Sequence, residues 1–341
     1  MNPTCPMRPF PFNRLGWRRL LAVATAMAGL WGLPAVAAEP APRTECPPVA
    51  TQPTPEQLRT AIAQARDHGF LWRFERDGQG GYLYGTVHVG KLAWAVPGPT
   101  VSEALRASDT LALELDFSDP ALARKVADSM AAPGADAPPL PPALQARLDQ
   151  LIRAACLPQL GQQHPVMQAL ALTTLAARVD GLDPAYAQEF ALTGFMSTLR
   201  RKIVSLETPE LQMAALVPPD PAEAQRLVQQ MVEQLEADRT RGMVVRLADV
   251  WARGDLAQLE RYDQWCECVE TEEDRRQLQR LNDERNPGLA ERIEALHREG
   301  RRLFVAVGAL HMTGPQALPR LLAQRGFTVV RVPLRQARSG G

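Results

Sequence analysis

Apolar and polar positions alternate twice near the start of the folded part of the chain. Phe70 to Arg76 alternates, Asp77-Gly78-Gln79-Gly80-Gly81 turns, and Tyr82 to Val87 returns, which predicts a β-hairpin. At the other end Arg301 to Val307 and Phe327 to Pro333 read as two further strands. Between them Pro315 to Arg325 carries Leu318, Leu321 and Leu322 on one helical face and stops at Gly326. Thr110 to Asp116 predicts an apolar strand with Leu111, Leu113 and Leu115 on one face and Ala112 and Glu114 on the other. Lys202 to Leu206 is a shorter strand. Thr54 caps a helix from Pro55 that ends at Gly69, Thr100 or Ser102 opens a second, and Asp119-Pro120 starts a third reaching Met130. From Pro142 to Glu299 the spacing is otherwise helical, broken near 158–161, 181–184, 218–221, 254 and 287–288. Strands at both ends and helices between predict a mixed α/β fold: a central mixed sheet built from the N- and C-terminal segments, covered by a helical insertion at about 142–300. The whole forms a single domain over residues 56–335.

The flanks differ in kind. Residues 1–38 combine Arg8, Arg14, Arg18 and Arg19, an apolar run from Leu20 to Leu33 and the small residues Pro34-Ala35-Val36-Ala37-Ala38. This is the layout of a secretory signal peptide cleaved after Ala37 or Ala38. The run falls short of the roughly 20 residues of a membrane span, so no transmembrane segment is expected after cleavage. The expected location is periplasmic or secreted. Residues 39–55 read as a proline-rich linker, 131–142 as a proline- and alanine-rich loop able to act as a flap over a cleft, and 336–341 as a tail. Basic and acidic side chains number 38 each, and the signal removes only arginines, so the exported form is mildly acidic and no nucleic-acid partner is expected.

Export leaves Cys46, Cys156, Cys266 and Cys268, an even set in an oxidising compartment, which predicts disulfides. A bridge across the single residue between Cys266 and Cys268 would be strained. Cys46 and Cys156 are therefore expected to pair each with one of them, in either order. Cys-x-Cys also lacks the usual zinc spacing.

The candidate chemistry lies in two matching phrases. Each is a strand running into Gly-x-x-His and a second glycine: Gly85, His88 and Gly90 in the first, Gly308, His311 and Gly314 in the second. Glycine at a strand end lets the chain turn and lets a ligand approach the backbone. Strand ends are also where open α/β sheets place their sites. His68, His164 and His297 stand at a helix end, before a proline and on a polar helical surface, and read as solvated or capping. Glu114 is a carboxylate inside an apolar strand, costly unless something pairs with it. It is either the third member of a two-histidine, one-carboxylate set for a divalent metal or half of a buried salt bridge, for instance to Arg285.

The chain resembles the TraB/GumN family, which includes the Tiki metalloproteases. The resemblance rests on Tyr84 to Gly90, Leu113 to Asp116, Leu206 to Glu210, Asp283 to Asn286 and Gly308 to Gly314, in the family's order across residues 70–333. It implies a mixed α/β fold related to erythromycin-esterase-like and haem-binding ChaN-like proteins. In the Tiki branch it implies peptide cleavage dependent on a divalent metal such as manganese or cobalt. His88, His311 and Glu114 match the family's histidines and strand glutamate, and Glu207 and Arg285 match further motif positions.

The expected activity is a divalent-metal-dependent hydrolase, peptidase-like, using manganese, cobalt or zinc. His88, His311 and Glu114 hold the ion, Glu207 or Glu114 takes a proton from bound water, and Arg285 stabilises an oxyanion or holds a substrate carboxylate. Two of these residues have other readings: Glu207 as a carboxylate at a helix N-terminus, and Arg285 as an ion pair that orients Glu114 or Glu207. The alternative function is sequestration of a peptide or haem-like ligand without turnover. Either way the partner is a peptide or small molecule, and the sequence sets no oligomeric state.

Overall fold

Asp77 and Gly78 both take positive φ, 56° and 76°, which makes the two-residue turn whose twist matches a hairpin. The turn pairs Arg76 with Gln79 and so fixes the register of β1 (Phe70–Arg76) against β2 (Gln79–Thr86). The remaining strands are β3 (Thr110–Leu113), β4 (Lys202–Ser205), β5 (Leu303–Gly308) and β6 (Thr328–Val332). These features come from a computed structural model that describes residues 46–131 and 139–335. The expected signal peptide, residues 39–45 of the expected linker, positions 132–138 of the proline/alanine loop and the tail at 336–341 lie outside the described residues.

The six strands form one sheet in the order β4-β3-β5-β2-β1-β6. Pairing is parallel from β4 through β3 and β5 to β2, and antiparallel from β2 to β1 and from β1 to β6. The mixed α/β fold expected from the two chain ends is therefore correct, and the region between the strand segments is helical. All of β3 and the first five residues of β5 are buried, as strands covered on both faces must be. Their side chains join one core with Phe70, Phe74, Leu83, Leu105, Trp251 and Ile293. A second cluster sits within the insertion, where Leu144, Leu148 and Ile152 meet Val166, Ala169, Val228 and Val232.

Three expectations need correction. The strand of Thr110 to Asp116 stops at Leu113, where its partner β4 also ends, so Glu114 stands just past a strand terminus. His297 is buried rather than on the surface, with Nε2 3.1 Å from the Gln79 carbonyl and its ring edge-on to Phe327. The disulfides join Cys46 to Cys156 and Cys266 to Cys268. Glu267, at φ 54°, curls the chain so that the Cα atoms of Cys266 and Cys268 come within 5.1 Å, which an extended intervening residue would forbid. The segment that follows Cys46 is tied down where the Ala50 amide bonds the Asp183 carboxylate and the Thr51 carbonyl accepts from the Tyr186 hydroxyl. Among the described residues no helix is long and apolar enough to cross a membrane.

Candidate active site

Four neighbouring parallel strands end at one edge of the sheet, and each delivers one residue there. Read across the sheet, β4 leads to Glu207, β3 to Glu114, β5 to His311 and β2 to His88. This is the carboxyl edge at which open α/β sheets bind ligands. Arg285 joins them from the residue preceding the helix Asn286–Arg298.

Gly308 marks where they converge. A Cβ built there would lie 3.5 Å from Glu114 Oε1, 3.6 Å from His311 Cδ2 and 3.8 Å from His88 Nε2. The glycine thus leaves an open space bounded by both histidines and the glutamate, and its own amide donates to Glu114 Oε1 at 2.8 Å. Gly314 takes φ 79°, which favours glycine.

Each imidazole faces a side-chain oxygen at its Nδ1. Asn286 donates its Nδ2 to the carbonyls of His311 and Gln316 at 3.2 and 2.9 Å, which fixes Oδ1 as the atom facing His311 Nδ1 at 2.6 Å. Nδ1 therefore carries the proton and Nε2 presents a lone pair, 3.7 Å from Glu114 Oε1. His88 Nδ1 lies 3.2 Å from Glu189 Oε1, again leaving Nε2 toward the common space. Burial pushes the His311 imidazole down to about 4, outweighing the pull of Glu114, so the ring is neutral near pH 7. Glu189 lifts His88 above its ordinary value, and solvent around a side chain 67% exposed screens part of that lift.

The carboxylates are clamped from the other side. Arg285 Nε donates to Glu207 Oε1 at 2.9 Å, Nη2 to Glu114 Oε2 at 2.5 Å and also to Glu207 Oε2, and Nη1 to the Leu281 carbonyl at 3.0 Å. Gln212 Nε2 adds donors to Glu114 at 3.1 Å and Glu207 at 3.3 Å. Burial alone would raise the Glu114 carboxyl, but His311, Arg285, His88 and the Gly308 amide hold it down at about 2. Burial would lower the Arg285 guanidinium, yet the two carboxylates raise it further, so it stays charged. Of the two readings of Arg285, the ion pair that orients Glu114 and Glu207 matches the contacts. Glu207 does not line the cavity described next, whereas Glu114, His88, His311 and Arg285 do.

That cavity, about 420 Å³, opens above the strand ends. Its floor is polar and its walls come largely from the helical insertion, with Leu170, Leu216, Met231, Met243, Leu247 and Leu281. Cys268 and Tyr262 also line it.

The donor set suits a divalent cation in kind, with two imidazole Nε2 atoms, that of His311 held neutral, and one ionised carboxylate around an open space. Coordinated ligands stand about 2 Å from a metal, and these donors are spread more widely around their common point. Accordingly no group of three His, Cys, Asp or Glu among the described residues is already drawn together as a metal site. His88, exposed at the mouth, is the ring with room to turn inward.

Sequence reading placed His88, Glu114, Glu207, Arg285 and His311 together and missed Glu189, Asn286, Gln212 and Thr86. Asn286 had a signal, since it closes the Asp283-to-Asn286 motif. Glu189 had none beyond an acidic residue in a first helical turn. Comparison with curated proteins and with solved structures gave no match. A family model described as the TraB/PrgY/gumN family matches residues 70–331, a span that holds all six strands but the last residue of β6 and every site residue named above, and on that match the chain belongs to the TraB/PrgY/gumN family.

Proposed function

We propose that the protein is a divalent-metal-dependent hydrolase, peptidase-like, acting in the periplasm or outside the cell. The convergence of His88, His311 and Glu114 on the space beside Gly308 carries this reading. His88 Nε2, His311 Nε2 and a Glu114 oxygen would hold manganese, cobalt or zinc, which when bound supplies Lewis acidity and a more acidic water. The protein's own groups are arranged for that task. His311 stays neutral and fixed, and Glu114 stays ionised because Arg285 and Gln212 hold it. A carboxyl held at about 2 suits binding a cation better than accepting a proton. Glu207, bound by the same two donors, serves to keep Arg285 in place. The apolar walls hold a substrate's apolar groups and exclude water from the polar floor. Two disulfides support export to an oxidising compartment.

The test is cleavage of a mixed peptide library by metal-stripped protein, followed by mass spectrometry, with manganese, cobalt or zinc restored in turn. Activity should return with metal and be absent in His88→Ala and His311→Ala, both folded. Wild-type cleavage by the double variant defeats the reading. A second function, sequestration of an apolar ligand without turnover, is favoured by the aliphatic and methionine walls, because methionine adapts to varied ligands. Saturable binding of a peptide or haemin with no product would select it.

A further inference from the structure

Glu189 lies in the first turn of the helix Gln188–Thr198, outside the set of cation-holding residues. Its side chain is 18% exposed, and its Oε2 is buried with no hydrogen-bond partner among the described residues. Among the described residues its side-chain partners are both at Oε1, which accepts from the Thr86 hydroxyl at 2.6 Å and faces His88 Nδ1 at 3.2 Å. A carboxylate buried with so few partners is costly. The fold nevertheless holds it there. Gly90 and Asp183 exchange backbone hydrogen bonds at 3.1 and 2.9 Å, and a Cβ on Gly90 would come within 2.3 Å of the Tyr186 carbonyl oxygen. Arg178 pins Asp183 at 2.8 Å. The segment bearing Glu189 is thereby laid directly along the loop bearing His88.

The two histidines also differ in what they need. His311 is 3% exposed and immobilised by packing, with a neutral amide sufficient at Nδ1. His88 stands mostly in solvent, so its ring is held only by what its Nδ1 binds. We propose that Glu189 is the positioning residue of this site: its carboxylate fixes the Nδ1–H of His88 and so aims Nε2 at a divalent cation beside His311 and Glu114. The inference rests on the metal reading above. A carboxylate behind a ligating histidine sets the tautomer and strengthens the ligand, and its removal typically weakens metal binding 10- to 100-fold.

The probe is Co²⁺ alone, titrated into metal-stripped full-length protein and followed by calorimetry and by its visible absorption band. Glu189→Ala should raise the Kd roughly 10- to 100-fold with no loss of thermal stability, since it removes an underpaired buried charge. Glu189→Gln, which keeps an acceptor oxygen for Nδ1–H, should stay close to wild type. Wild-type affinity in Glu189→Ala overturns the proposal and leaves the metal reading standing. A lowered melting temperature with unchanged cobalt affinity also overturns it, by showing a purely structural role. No cobalt binding by the wild type overturns the metal reading, and this proposal with it.

Discussion

Replacing Arg285 by methionine keeps much of its volume and removes the charge shared by Glu114 and Glu207. Both carboxylates accept from the same Nη2. Their nearest oxygens therefore stand no more than about 5 Å apart, where two unit charges repel by roughly 3 kcal/mol at an effective dielectric of 20. Their side chains are only 14% and 6% exposed, so water offers little relief. Removing one partner from a buried pair typically costs about 3–5 kcal/mol. For a domain of this size that is a fall in Tm on the order of 10 °C. The penalty should depend on pH. In the variant an orphaned carboxyl has its folded pKa raised above the unfolded value, so it stabilises when protonated and costs stability once pH rises through that range. In the wild type Glu114 is depressed to about 2, so its contribution is complete above about pH 4.5 and lost as pH falls toward 2. The gap between the two proteins should thus be widest near neutrality and close in acid. Thermal melts by circular dichroism at pH 7 and pH 4 measure both parts, and Glu207→Gln added to Arg285→Met should recover part of the loss at pH 7. Equal melting temperatures at pH 7, or a gap that does not shrink in acid, would refute the clamp.

Two further outcomes follow from features away from the clamp. Cys46–Cys156 closes a separation of 110 residues and Cys266–Cys268 one of 2, so loop-closure entropy assigns the first about 5 kcal/mol and the second under about 2. Paired serine variants compared in urea should show that order, and a larger cost for the 266/268 pair would contradict it. His311 is held neutral with its pKa lowered to about 4, so the stability it contributes is complete above about pH 6.5 and lost as pH falls toward 4. His311→Gln should flatten the stability curve across that window, and an unchanged slope would show that the ring is not buried neutral.

The hairpin and the closing strands were legible because alternation and a two-residue turn are local signals. So were His88 and His311, each announced by a glycine at a strand end, and Glu114, a carboxylate in an apolar strand, whereas Glu207 and Arg285 entered the set through the resemblance to the TraB/GumN family. Most of what failed depended on partners distant in sequence. Nothing near Glu114 reveals that β4 ends where it does and stops β3 at Leu113. Glu267 carries no mark of its left-handed backbone, so the short Cys266–Cys268 bridge read as strained. His297 sits among polar helical neighbours, and only the return of β2 with Gln79 buries it. Glu189 meets His88 through the Gly90–Asp183 contact, which joins two segments that look unrelated in the sequence.

The ordering of the sheet has a consequence for how the chain matures. β2 has β1 on one side, a neighbour made moments earlier, and β5 on the other, which pairs Tyr82 with Phe304. An isolated hairpin is marginal in water, and closing so long a loop carries an entropic cost before any contact rewards it. During synthesis, His88 therefore waits for nearly the whole polypeptide before His311 arrives beside it. A chain interrupted before β5 has no assembled centre, and any activity becomes a readout of full-length folding.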